Sequence, residues 1–309
     1  MAEYDLTDPR KAIHVPFATR LAARGLIALD RYTPFDVRAR SVAYQARVRL
    51  EHRPSWRKRM FRRLRAALGT EMSDDQLAEC AVLAQVVRRM GVRTYAPVFQ
   101  RSRQWLLTNL MPEGLEHLEA LRSSGSGALL LGTGVGMKAW SAEVLLQLGF
   151  GLHVIQREHV SAEKLLMMRA DGTLARVLSM PSEQTGGAHL KDLLDLLRRG
   201  GWIQQPGQVP AESEGIACRY LGRPIRTNRG PWVLARLSRA PIVPVFVLMR
   251  RDFTCRLVVE EPLHVGRDAQ SPESACQAYH DVLSRLVRAE PWNLLPSTHL
   301  EGLLTDDAP

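Results

Sequence analysis

The chain has 309 residues, of which 45% are hydrophobic and 24% charged, a balance that excludes wholesale disorder. Its longest apolar runs, such as APIVPVFVLM at 240–249, have about half of the roughly 20 residues that a membrane-spanning helix needs. The net charge of +10 is one-sided: residues 1–110 hold 21 Lys/Arg against 10 Asp/Glu, while the other 199 hold 21 against 22, which points to an anionic partner for the N-terminal third.

Residues 1–110 are predicted to form a helical, basic region. LTDPRKAIHVPFATRLAARGLIAL and SDDQLAECAVLAQVVRRMG space apolar residues near 3.6, and Ser73 with Gln76 makes a capping box. Between them, residues 53–69 carry Trp56, Met60, Leu64 and Ala67 on one stripe, flanked by Phe61 and Leu68, with seven Lys/Arg over 53–65. Two readings compete. The stripe packs on the core, or it lies in an anionic membrane with Trp56, Met60 and Phe61 in the interface and Arg57, Arg62 and Arg63 on headgroups. No nucleic-acid module is recognisable, and no nucleic-acid partner is expected.

From about residue 111 strands and helices alternate. GALLLGTGV (127–135) reads as a strand, 137–149 as a helix, 151–158 as a strand, EKLLMMRADG as part of a helix, 189–201 as a helix and WIQQ as a strand. Then 230–240 reads as a helix, 241–249 as a buried strand, 256–265 as an exposed alternating strand and PESACQAYHDVLSRLVRAEP as a closing helix. The fold class is therefore α/β, a mostly parallel sheet flanked by helices, with 1–110 as the helical region and 111–309 as the α/β domain. Cys80, Cys218, Cys255 and Cys276 lie far apart with no zinc-type spacing, so reduced buried thiols and no metal site are expected.

The order EGLEHLEAL, GALLLGTGVG, a helix ending LLQLG, HVIQR, the RRGG turn and YLGRPIRTNRGPWVLARLSRAPIVPVFV, with Pro291 and Trp292 near the end, resembles the lysophospholipid acyltransferase superfamily. The nearest branch is that of the lipid A biosynthesis lauroyl/myristoyl acyltransferases. The resemblance covers about residues 60–295. It implies an acyltransferase-like sheet and transfer of a fatty acyl group from acyl carrier protein or acyl-CoA to a hydroxyl of a lipid or glycolipid, with no permanently bound cofactor. In the family a histidine acts as base on the hydroxyl, and an acidic residue five positions later orients it. Here those positions hold Gly134 and Ala139, with Gly136 at the motif's usual glycine; a one-residue shift gives Thr133 and Lys138. Neither glycine nor alanine accepts a proton, so a non-catalytic homologue that binds acyl chains or carrier protein is the alternative.

His153 and Glu158 repeat the family spacing but sit in the following strand, where residues five apart face opposite sides. The resemblance implies an acceptor site shaped by Gly136, Arg157, Gly222, Arg223, Arg226, Thr227, Arg229 and Gly230. Arg219 adds a fourth arginine to that loop, and four guanidinium groups suit the phosphates of coenzyme A or phosphopantetheine. A second alternative is a nucleotide or S-adenosylmethionine site on Gly132, Gly134 and Gly136. The first thirty residues lack a signal-type apolar stretch, so a cytoplasmic chain is expected, peripheral on the inner face of the cytoplasmic membrane.

Overall fold

The computed structural model describes residues 3–5, 33–69, 72–93, 109–132, 135–137, 140–157, 159–161, 177–180, 186–207, 215–266 and 270–294. The first described elements are a short strand β1 (Glu3–Asp5) and the helices α1 (Phe35–His52), α2 (Pro54–Leu68) and α3 (Asp74–Arg93). Proline at the first position of α2 fits because that amide has no helical acceptor. The capping box is formed: Ser73 N donates to Gln76 Oε1 at 2.9 Å and Gln76 N to Ser73 Oγ at 3.2 Å.

Helix α4 (Leu115–Ser123) leads into β2 (Ala128–Gly132), α5 (Trp140–Gln147), β3 (Leu152–Arg157), β4 (His159–Ser161) and β5 (Val177–Met180). There follow α6 (Gly186–Arg198), β6 (Trp202–Pro206), β7 (Ile216–Tyr220), β8 (Arg223–Thr227) and α7 (Gly230–Ser238). The chain closes with β9 (Ile242–Met249), β10 (Cys255–Val259), α8 (Pro272–Ala289) and a 3₁₀ turn at Pro291–Asn293. The central sheet has the order β10-β9-β2-β6-β3-β5. Its strands run parallel except β10, which pairs antiparallel with β9. The fold is the α/β class expected. β1 pairs with β4, and β7 with β8, in small antiparallel ribbons.

Strand alternation distributes β2 and β9 between two cores. Ala128, Leu130, Val243, Val245 and Val247 join α1, α2, α3 and α5 on one face. Leu129, Leu131, Ile242, Phe246 and Leu248 join β7, β8, α7 and α8 on the other.

Three expectations are corrected. Trp56, Met60 and Phe61 are buried at 8%, 2% and 6% exposure within the first core, so in this conformation they are not available to a lipid interface. Burying those side chains against α1 and α3 satisfies the same apolar stripe that a bilayer would. The strand over 256–265 is β10, and it is buried rather than exposed: Leu257, Val258 and Val259 are at most 4% exposed. The segment 216–227, expected as a loop, is the β7–β8 hairpin. Leu221 and Gly222 turn it with φ of +52° and +83°, the positive values that a tight two-residue hairpin turn requires. The expected helices at 6–29 and through 163–172 lie outside the described residues.

Candidate functional site

β2, β6, β3 and β9 deliver their C-terminal ends to one edge, where open α/β sheets place their ligands. β2 ends at Gly132, whose carbonyl accepts from Gly207 N at 2.6 Å and from Tyr279 Oη at 3.1 Å. The next described stretch, Val135–Met137, is stitched to β9 and the 3₁₀ turn. Gly136 N donates to Asn293 O, and Met137 N to Val247 O, each at 2.7 Å. Gly136 has φ +68°, and a Cβ there would lie 2.2 Å from Val247 O, so this glycine is required by backbone contact. Asn293 clips the end of β9, with Met249 N donating to its Oδ1 at 2.9 Å and its Nδ2 donating to Met249 O at 3.0 Å. Trp292 Nε1 donates to the same carbonyl at 2.6 Å.

Polar side chains occur beside this edge. Gln204 pairs with Leu130 and Gln205 with Leu131, so the two glutamines face opposite sides of the sheet. Gln204 Nε2 donates to Ser141 Oγ at 2.5 Å. Trp140 Nε1, Gln204 Oε1 and Gln205 Nε2 are buried with no partner among the described residues. Glu143, 7% exposed, is the one carboxylate buried among the described residues. It lies in the first turn of α5, four residues after Ala139. Sequence reading missed this group because its spacing matches no motif; a glutamate inside the apolar stretch AWSAEVLL was the available signal.

Thr133, Gly134, Lys138, Ala139 and Glu158 lie outside the described residues. The ladder register separates the other two strand candidates. His153 pairs with Ile203, which pairs with Leu129. That places it three residues, about 10 Å, before the level of Gly132. Its ring is half-buried, and Nδ1 has no partner among the described residues. Arg157 lies three residues beyond Val154, the partner of Gln204 and hence level with Leu130. Its backbone therefore stands at the height of position 133, at the ligand-binding edge.

The hairpin separates the expected acceptor residues. Arg219, Arg226 and Arg229 are exposed, and Gly222 and Gly230 lie at its two ends. Arg226 Nη1 donates to Gly215 O at 3.4 Å. Arg223 is half-buried, while Thr227, at 1% exposure, is part of the packing beneath. On the opposite core, Arg49, Arg53, Arg59, Arg63 and Arg88 line a pocket of about 290 Å³ with Trp56, Met60 and Gln85, and no carboxylate lines it. Arg49 stacks over Trp56 at 5.7 Å. Arg62 is exposed, and Arg57 stacks on Phe61 at 5.1 Å while lying 3.8 Å from Asp74.

A model of the bacterial lipid A biosynthesis acyltransferases matches residues 12–294. The chain belongs to this family. No curated protein matches it. The match spans the basic helices as well as the sheet, so both are parts of the family's architecture. Gly136 serves the contact with β9.

Burial brings together a group that spacing alone did not reveal. Cys218 on β7 and Cys276 and His280 on α8 converge beneath the hairpin at 7%, 0% and 0% exposure. Cys218 Sγ and Cys276 Sγ lie 3.6 and 3.7 Å from His280 Nδ1. The Cys276 thiol, hydrogen-bonded to Cys218, holds the Cys218 thiol well below the usual range, and the same contact pushes Cys276 up. Burial, with a smaller contribution from neighbouring carboxylates, pushes Cys80 up to about 11 and Cys255 to about 12; both stay protonated at neutral pH. The i,i+4 pair Cys276–His280 was the legible part of this cluster, since both residues fall on one helix face.

Proposed function

We propose that the chain transfers a fatty acyl group from acyl carrier protein or acyl-CoA to a hydroxyl of a lipid or glycolipid. The observation that carries this reading is the family match over 12–294, extending across the loop that leaves β2 at the ligand-binding edge. In such a transfer the hydroxyl oxygen attacks the thioester carbonyl, an ester forms, and the thiol leaves with a proton. Glu143 is the group we assign to take the hydroxyl proton: it is a carboxylate at 7% exposure in the first turn of α5, four residues after Ala139 and two after Ser141, which accepts from Gln204 beside Gly132. The buried N–H donors of Gln205 and Trp140, which have no partner among the described residues, are our candidates for positioning and charge stabilisation. The arginine-lined pocket between α1, α2 and α3 is our candidate for holding the anionic surface of a membrane or carrier protein, with guanidinium groups rather than aromatic rings making the contact.

Gly134 and Ala139 favour a second reading, a homologue that binds acyl chains or carrier protein without turnover. Positioned base catalysis supplies about 10²–10⁴-fold. Installing Gly134→His with Ala139→Glu therefore separates the two. Intact-mass detection of acyl transfer from acyl carrier protein should show a rate increase approaching that range if the cleft works. Unchanged zero turnover with acyl-chain binding intact supports the non-catalytic reading.

A further inference from the structure

The cluster beneath the hairpin has no part in the proposed acyl transfer, and it lies on the face of the sheet opposite the basic helices. Its three ligand-type atoms lie within 4.8 Å of one another. For a metal bound by thiolate at about 2.3 Å and imidazole at about 2.0–2.1 Å, a tetrahedral angle places sulfur and nitrogen about 3.6 Å apart. The two distances found are 3.6 and 3.7 Å. Both elements that carry the ligands are fixed independently. The hairpin is tied to α8 by Arg219 N donating to Gln277 Oε1 at 2.8 Å, Gln277 Nε2 donating to Arg219 O at 3.1 Å, and Leu221 N donating to Ser284 Oγ at 3.0 Å. Ser271 caps α8 by accepting from Ser274 N. The elements that carry the ligands are thus held together before the ion arrives, and the His280 ring, with the Cys276 carbonyl 2.8 Å from Nδ1, adjusts to admit it.

We propose that Cys218, Cys276 and His280 bind a single soft divalent ion, zinc by ligand chemistry, that pins the β7–β8 hairpin to α8. Two thiolates cancel the charge of the ion, so the complex is neutral within an apolar core. His280 Nδ1 also lies 2.8 Å from Cys276 O, to which it donates in the metal-free chain. Metal binding moves that proton to Nε2, which is buried and has no other partner among the described residues. It releases the Cys276 thiol proton, and any proton on Cys218, to solvent. One hydrogen bond is exchanged for three metal–ligand bonds. A fourth ligand, an added water or the Cys276 carbonyl 2.8 Å from Nδ1, would complete the tetrahedron.

The test uses the reduced full-length chain with zinc alone. After dialysis against a weak chelator it should retain one ion per chain, and cobalt in its place should give a thiolate-to-cobalt charge-transfer band. Cys218→Ser and His280→Gln should each weaken retention by more than the roughly 10–100-fold that loss of a supporting partner costs. No variant is needed for the companion measurement, alkylation of the wild-type chain followed by mass spectrometry. Zinc should protect Cys218 and Cys276 and leave Cys80 and Cys255 as they were. Equal alkylation of all four with and without zinc, loss of the ion on dialysis, variants that bind as the wild type does, or a Cys218–Cys276 disulfide in chain prepared without oxidant would each overturn the proposal.

Discussion

The two faces of the central sheet are covered by different means. One face carries α1, α2 and α3, whose apolar stripes fill the core while their outer surfaces crowd arginine around the pocket at Trp56. The other carries the β7–β8 hairpin, α7 and α8, whose packing closes over a cysteine–histidine cluster and the Tyr279 ring. Neighbouring residues of β2 serve both: Leu130 is part of the first core and Leu131 of the second, each fully buried. The contrast separates an arginine-rich surface from a closely packed interior. The ligand-binding edge lies between them and is held by contacts from β9 and the C-terminal turn.

If both faces are true cores, Leu130→Ala and Leu131→Ala should each cost about 2–5 kcal/mol, read from urea denaturation midpoints. A small loss at only one of them would show that face to be a loosely docked cover. Gly136→Ala forces a left-handed residue against the Val247 carbonyl and should cost on the order of 2–3 kcal/mol. The same variant should lower any acyl-transfer rate, because the loop leaving β2 must shift. Asn293→Ala strands the Met249 amide and leaves its carbonyl with the Trp292 indole alone, at about 1–3 kcal/mol in the same measurement. For the basic face, Arg53→Gln and Arg59→Gln should each weaken binding to anionic vesicles by about 1 kcal/mol at low salt. Binding that ignores both would remove the pocket from the account. The smallest effect is expected at Arg251→Ala. Its ion pair with Glu79 is 70% exposed on the arginine side, so water and salt screen it and the urea midpoint should barely move.

The sequence made the strongly periodic elements legible. β2 and β9 are apolar runs bounded by glycine or proline, and α8 has a serine cap, a proline start and one apolar face. The helix over 53–69 was legible as an amphipathic helix, but periodicity does not say whether the apolar stripe meets protein or lipid; α1 and α3 decided that. The β7–β8 hairpin was obscured because its exposed arginines drew attention away from the alternation of Ile216, Cys218 and Tyr220 toward α8. The family resemblance set Gly134 and Ala139 at the dyad positions, and since both lie outside the described residues that expectation rests on the sequence alone. Glu143 and Gln204 became candidates only once burial was known, since nothing in their spacing marks them.

The central claim is acyl transfer at the β2 edge, and single-turnover transfer from acyl carrier protein or acyl-CoA to a hydroxylated lipid, followed by intact mass, tests it most directly. The account predicts ester formation by the wild-type chain and a rate about 10²–10⁴-fold lower in a stably folded Glu143→Gln variant. Transfer unaffected by that substitution would contradict the role given to Glu143. No ester from either donor, with the acyl chain bound to a folded protein, would contradict the claim itself.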